Sequence, residues 1–312
     1  MSFRQRLARV APDRETVVTV GVFDGVHQGH RHLLGRLVEA AGSKYIPTVL
    51  TFSNHPITVL RPGTEVKNIT TPEEKARLLR DIGVGLVVSL EFTPELARVS
   101  AAEFASLLVE SLAMKGLVLG PDTALGHDRE GDLDFLTKRG EELGFWVEAV
   151  APLAMNGQPI KSRNIRKAVS QGDLATCNRF LGRTFSIRGE VISGERRGRE
   201  LGFPTANLAL PGELLLPGDG IYATWAVIDG ERHPSATSIG IRPTFGLSER
   251  LVEVHVLDFK GDLYGKEIGV EFVGKIRDQQ KFPGVEELIA QMDRDVAQAR
   301  LALDRDQGAA VA

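Results

Sequence analysis

Apolar runs change their spacing partway along this chain, and that change constrains the fold more than any other feature of the sequence. Between residues 15 and 150 the short runs "TVVTVGVF", "IPTVLTF", "GLVVSL", "GLVLG" and "FWVEAV" are separated by amphipathic stretches long enough for helices. Strands that alternate with helices require crossover connections, so this region predicts a parallel α/β sheet. Two of the helices have clear starts. In "TPEEKARLLRDIG" Thr71 caps, Pro72 suits the first turn and Glu74 completes a capping box, and Ser100 with Glu103 repeats the device ahead of "FASLLVESLAM". From Thr184 the runs become β-branched and aromatic, punctuated by glycine and proline: "TFSIRGEVIS", "GIYATWAVI", "HPSATSIGI", "LVEVHVLDF" and "EIGVEFVGKI". Closely spaced strands of this kind predict a small antiparallel barrel. The segments "SRNIRKAVSQG" and "DLATCNRFLG" read as short helices at the junction, which places the domains at 1–182 and 183–312. A last stretch sets Val285, Leu288, Ile289, Met292 and Val296 at helical spacing, a stripe expected to pack on the barrel.

Composition narrows the function classes. The 312 residues suit two domains, and a 42% apolar, 25% charged balance is that of a globular chain with a packed core. A formal net charge of −3 argues against general affinity for a nucleic-acid backbone, and small anionic ligands held by local basic loops fit better. Cys177 is the one cysteine, so neither an internal disulfide nor a thiolate zinc cluster is expected. No apolar run approaches the ~20 residues that span a bilayer, and "MSFRQRLARV" lacks the apolar segment of a secretory signal. A cytoplasmic chain with no membrane partner is expected.

The first chemistry-bearing stretch is "GVFDGVHQGHRHLL", where an expected strand gives way to a helix. A helix amino terminus exposes N–H groups and partial positive charge, so a glycine-rich turn into it is a natural phosphate seat. Gly25 and Gly29 let backbone approach a polyphosphate, and His27 and His30 could donate hydrogen bonds to phosphoryl oxygens as their charge grows. In "GERRGRELGFPTANL" a basic loop adjoins a small polar turn, where Thr205 offers a hydroxyl for Mg²⁺ and Asn207 an amide for phosphate. Glu253 alternates with Val252 and Val254 on an expected strand, and a carboxylate at a barrel mouth could take a proton from a substrate hydroxyl.

"GVFDGVHQGH" resembles the opening of the bifunctional bacterial riboflavin kinase/FAD synthetases, within the HxGH nucleotidyltransferases, whose Rossmann-like first domain adenylylates FMN with ATP to give FAD and pyrophosphate. The resemblance implies that His27 and His30 bind and polarise the ATP phosphates during direct attack by the FMN phosphate. "TFSNHP" resembles the family's T-F-x-P-H-P and adds His55 to the nucleotide site. Two segments depart from the family pattern. "GPDTALG" stands where "GxDFRFG" is usual, keeping Gly120, Asp122 and Gly126 but replacing two aromatics and a basic residue. "IKSRNIR" stands for "ISSTRIR", keeping Ser162, Ile165 and Arg166. The lost aromatics are expected to weaken flavin stacking, while Lys161, Arg163 and Arg166 still concentrate cations for pyrophosphate.

The second half resembles riboflavin kinases through "GFPTAN", "GIYATWAV", "SIGIRPTFG", "VEVHVLDFKGDLYG" and "KIRDQQKF". This implies that Gly202, Pro204, Thr205 and Asn207 form the phosphate and Mg²⁺ turn. It also implies that Glu253 accepts the proton of the ribityl 5′-hydroxyl of riboflavin as that oxygen attacks the γ-phosphorus of ATP. Ser238 stands where asparagine commonly precedes I-G-x-R-P-T-F, and no role is carried over to it. Arg277 and Phe282 are expected either to border the flavin or to form a surface ion pair and a core aromatic. The expected function is therefore riboflavin to FMN in the barrel and FMN to FAD in the α/β domain, with MgATP used twice and ATP, riboflavin and FMN as the partners. The alternatives are a kinase with a vestigial first domain and, further off, a non-catalytic flavin sensor.

Overall fold

Burial of all five residues of β1 (Thr16–Val20) explains why its sequence does not alternate: it is the middle strand of a sheet covered on both faces. The computed structural model describes residues 2–120, 123–155, 157–194, 198, 201–244 and 247–311. Contacts group them into two units, Met1–Ser162 and Arg163–Ala312.

The first unit runs α1 (Phe3–Ala8), β1, α2 (Gln28–Ala41), β2 (Ile46–Phe52), α3 (Pro56–Leu60), α4 (Pro72–Asp81), β3 (Leu86–Leu90), α5 (Pro94–Ala97), α6 (Ala101–Leu112), β4 (Met114–Leu119), α7 (Leu133–Leu143), β5 (Trp146–Ala149) and a small hairpin, β6 (Ala154–Met155) and β7 (Gln158–Pro159). Its sheet has the order β3-β2-β1-β4-β5, every pair parallel, as the alternation of strands and helices required. Strand alternation divides the core in two. Val18, Leu50 and Leu117 pack with Phe3, Phe104 and Leu136 on one face, and Val17, Val49 and Val118 with Leu34, Leu37 and Leu79 on the other. Thr71 and Ser100 cap α4 and α6 by accepting from the Glu74 and Glu103 amides at 3.2 Å. The two glutamates also hold arginines: Glu74 takes Arg77 and Glu103 takes Arg4.

The second unit contains α8 (Ser162–Gln171), α9 (Leu174–Leu181), β8 (Phe185–Ile192), β9 (Ala206–Ala209), β10 (Gly220–Ile228), β11 (Glu231–Thr244), β12 (Leu247–Val256), β13 (Glu267–Arg277) and α10 (Val285–Val311). The helices expected at the junction pack with this unit. Asn178 donates to the Phe272 carbonyl at 3.1 Å and accepts from the Phe185 amide at 2.8 Å, and the Gly218 amide reaches the Val169 carbonyl. Among the described residues six antiparallel strands close a barrel in the order β10-β11-β12-β9-β8-β13. Its inward positions are filled by the rings of Tyr222, Phe272 and Phe185 and by a hydroxyl cluster of Thr224, Ser235 and Thr237. β9 is not in the sequence reading, which took "PTAN" as a turn. Four residues with only Ala206 and Leu208 buried are too few for an alternation signal. The α10 stripe is also shifted, because Val285 is 58% exposed while Ala299 and Leu303 are buried against Ala223 and Trp225.

Candidate active sites

In the first unit, the carboxyl end of β1 leads through "GVFDGVH" into α2, in the middle of the sheet where the chain switches from adding strands on one side to adding them on the other. Such a crevice is the usual ligand position in an open parallel sheet. His27 is the N-cap of α2, 3% exposed, and its Nδ1 accepts from the His30 amide at 3.2 Å. An accepting Nδ1 makes Nε2 the protonated nitrogen of the neutral ring. The His30 ring stacks on His27 with centroids 3.6 Å apart and meets Phe23 edge-on at 5.2 Å. Its Nδ1 is inaccessible and has no hydrogen-bond partner within the chain. Burial, then the His27 ring and the Lys75 ammonium, push the His30 imidazolium well below the ordinary histidine value. Near neutral pH His30 therefore acts as a hydrogen-bonding group and carries no charge.

The backbone of this turn is held tightly. Gly25 has φ +80°, and a Cβ there would lie 2.9 Å from the Ile69 side chain. Its amide donates to Thr70 Oγ1, while the Asp24 carboxylate accepts from the Ile69 and Thr70 amides at 2.9 and 3.2 Å. Gly29 lies against the His27 ring and the Ile160 carbonyl. Ser162 Oγ donates to the Asp24 carbonyl at 3.0 Å, so this predicted site residue supports the turn. His55 is the N-cap of α3 and lines a cavity of about 10 Å³ with Asp24, Asn68, Thr70 and Lys75, room for about one water. Asp122 lies outside the described residues, and Arg166 belongs to α8 in the second unit. Leu125, one of the positions where the family aromatics are replaced, is 8% exposed in the core and pairs with Gly131.

In the second unit the register brings together residues far apart in sequence. Ile221 pairs with Ser238, Ser238 with Glu253, and Glu253 with Asn207, a row across four strands. All four line a cavity of about 700 Å³ that also takes Thr205 from the turn and Met292 and Val296 from α10. Val252 and Val254 are 1% and 0% exposed inside the barrel, so Glu253 stands on the outer wall beneath α10, not at the barrel mouth that the sequence suggested. The opposite face of these strands, with Val191, Ala206 and Val254, lines another cavity of about 490 Å³ that Phe259 and Tyr264 border. Thr205 lines both. Pro204 accepts from His255 Nδ1 at 2.8 Å, and Gly202 turns the chain with φ +89°. Thr205 and Glu253 offer oxygens, a donor set that suits Mg²⁺ shared with substrate phosphates, and Asn207 adds an amide that can donate to phosphate.

Arg277 lines the larger cavity, yet its guanidinium grips Asp295 of α10 through two nitrogens at 2.8 and 2.6 Å, with side chains 14% and 6% exposed. The surface ion pair is thus a largely buried one, and it ties β13 to α10. Phe282 borders the cavity with the guanidinium 5.7 Å from its ring centre. Sequence reasoning missed three residues. His255 lies two positions after Glu253 on the same strand face, a signal that was available. Ser238 accepts from Gln279 Nε2 at 3.1 Å beside Glu253, a relation only register creates. Lys75, read only as part of a helix start, reaches the first site through its Nζ, which donates to the Val22 and Phe52 carbonyls.

Comparison with known proteins bears on both halves. The FAD synthetase family model matches residues 10–164 and the riboflavin kinase family model residues 181–303. The bifunctional riboflavin kinase/FMN adenylyltransferase of Pseudomonas fluorescens is 39% identical over 92% of this chain and 93% of its own length. That of Escherichia coli (strain K12) is 38% identical over 93% of each, and that of Bacillus subtilis (strain 168) 32% identical over 91% and 92%. A solved structure from Streptococcus pneumoniae, described as a macrolide-efflux protein, superposes with a TM-score of 0.86 at 31% identity, covering 93% of this chain and 95% of that one.

Proposed function

The chain belongs to the bifunctional riboflavin kinases/FMN adenylyltransferases, and from that premise we infer which of its residues carry each reaction. It phosphorylates riboflavin to FMN and adenylylates FMN to FAD, with ATP as donor in both steps. Family matches over both halves disfavour a vestigial first domain and a sensor. Adenylylation is assigned to residues 1–182 and phosphorylation to residues 183–312. The observation that carries the kinase assignment is the meeting of two cavities at Thr205.

Riboflavin enters the 700 Å³ cavity, its ring system between the outer barrel wall and α10 and its ribityl chain directed at Glu253. ATP enters the 490 Å³ cavity with its γ-phosphate at Thr205. Glu253 accepts the 5′-hydroxyl proton as that oxygen bonds to the γ-phosphorus, and the bond to ADP breaks. Asn207 donates to the phosphoryl oxygens, and Gly202 and Pro204 shape the turn that presents Thr205. The Thr205 hydroxyl, with the ATP phosphates, would hold Mg²⁺, which would supply charge neutralisation on the transferring group.

In the first unit an FMN phosphate oxygen attacks the α-phosphorus of ATP, and pyrophosphate leaves without a covalent enzyme intermediate. His27 and His30 donate to the phosphate oxygens, and the Gly25 to Gly29 turn and the N-terminus of α2 offer backbone N–H groups. His55 and Ser162 complete the nucleotide site of this unit in this reading, and Asp122 and Arg166 are assigned to ATP by the family resemblance alone. The enzyme works in the cytoplasm on small molecules, without nucleic acid. Among the described residues no helix is long and apolar enough to cross a membrane. Incubation of the purified chain with riboflavin, ATP and Mg²⁺, followed by chromatography of the flavins, should yield FMN and then FAD. Absence of FMN would defeat the kinase half, and FMN that never becomes FAD the other half.

A further inference from the structure

We propose that Lys75 is a positioning residue for adenylyl transfer, a fixed positive charge that clamps the His27–His30 turn to the His55 turn and faces the imidazole of His30. The proposal rests on the assignment of adenylylation to the His27–His30 turn.

Lys75 lies in the first turns of α4 and is 7% exposed, an uncommon burial for a lysine. Its Nζ donates to the Phe52 carbonyl at 2.7 Å and to the Val22 carbonyl at 3.2 Å. Val22 sits in "GVFDGVH", five residues before His27, and Phe52 ends β2 three residues before His55. One ammonium therefore fastens the carboxyl ends of adjacent strands where both histidine-bearing turns begin. The segment leading to α4 fastens the same turn from a second side, through the Ile69 and Thr70 bonds to Asp24 and the Gly25 bond to Thr70.

Packing alone does not call for a charge here, since a methionine would fill the same volume without the desolvation of a buried ammonium. Burial lowers the Lys75 pKa and the Asp24 carboxylate opposes that shift. Carbonyl ends of parallel strands repel an incoming polyphosphate, and an ammonium bonded to two of them removes that obstacle at its source. The same charge acts on His30. The groups that face this imidazole are His27 from its own helix and Lys75 from α4, and both disfavour its protonation alongside burial. Neutral His30 keeps one N–H to donate as charge develops on the phosphate, with no reorganisation during the step.

Parent, Lys75→Met and Lys75→Arg enzymes separate these roles. In Lys75→Met, kcat for FAD formation should fall by about 10²-fold with a smaller change in KM for ATP, while phosphorylation of riboflavin by the same preparation stays at the parent rate. The His30 ring-proton resonance should then titrate closer to the ordinary histidine value, and Lys75→Arg should restore both the rate and the low midpoint. Should Lys75→Met fail to accumulate, Lys75→Gln, neutral but still a donor, should show the same raised midpoint. An unmoved His30 midpoint in the neutral variants, or parent-level FAD formation in either, overturns the proposal and leaves the functional assignment standing. A parent enzyme that forms FMN and no FAD brings down the assignment and the proposal together.

Discussion

His30 shows how far a side chain's surroundings decide its chemistry. Its ordinary value is 6.5, and burial lowers it well below that in the folded chain. Above 6.5 both folded and unfolded chains carry a neutral ring, so stability is at its full value. As pH falls below 6.5 the unfolded chain binds a proton that the folded one refuses, and stability is lost until the folded-state value is reached. Urea midpoints at about pH 7.5 and about pH 5.5 should therefore differ in the parent, and His30→Asn should reduce that difference; an equal difference in both would show that other groups set the acid limb. Cys177 is the opposite case. It is 0% exposed, and burial pushes its thiol up to about 12. The thiolate is the reactive form, so the native chain should resist iodoacetamide and the unfolded chain should not, read as one added carbamidomethyl by mass spectrometry.

Elements were legible where their pattern was long and local, and obscure where it was short or depended on a distant partner. The run "IPTVLTF" is β2 to the residue and "GIYATWAVI" is β10 to the residue, because each carries its own burial. β9 has four residues and exists only because β12 and β8 pair with it. The same applies to the proposed kinase site: resemblance singles out Thr205, Asn207 and Glu253, but the row Ile221–Ser238–Glu253–Asn207 follows from register, which no local signal encodes. Gly194, two residues after β8, bears on the same row. A Cβ on Gly194 would lie 2.2 Å from Asn207 Nδ2, so Gly194→Ala must push that amide aside. Steady-state assays should show a lower kcat for riboflavin phosphorylation with FAD formation from supplied FMN unchanged. Farther along α10, Leu303 is 1% exposed and packs in the cluster of Ala223, Trp225 and Ala299. Leu303→Ala should destabilise the second unit by about 2–5 kcal/mol, measured by denaturant unfolding, because it loosens the helix that lines the 700 Å³ cavity.

At the scale of the whole molecule, two reactions that share ATP and pass FMN from one to the other are built on units with separate cores. The proposed phosphate seats are a helix N-terminus beside a parallel sheet in the first unit and a turn between two faces of a barrel wall in the second. Among the described residues, the hydrogen bonds that hold each turn come from its own unit: Asp24, Thr70, Lys75 and Ser162 for one, His255 and Gly198 for the other. Residues that share no partners act additively, so damage to one site should leave the other at work. Glu253→Gln removes the proposed proton acceptor and keeps the shape of the row, and it should lower kcat for FMN formation by about 10²–10⁴-fold while FAD is still made from supplied FMN. His27→Asn should do the reverse, with FMN accumulating from riboflavin and FAD formation collapsing. FMN is a diffusible product, so the two variants mixed with riboflavin and ATP should make FAD that neither makes alone, followed by chromatography over time. A mixture that accumulates FMN but no FAD would mean that each unit needs an intact partner in its own chain, and the account of two self-sufficient phosphate seats would fail.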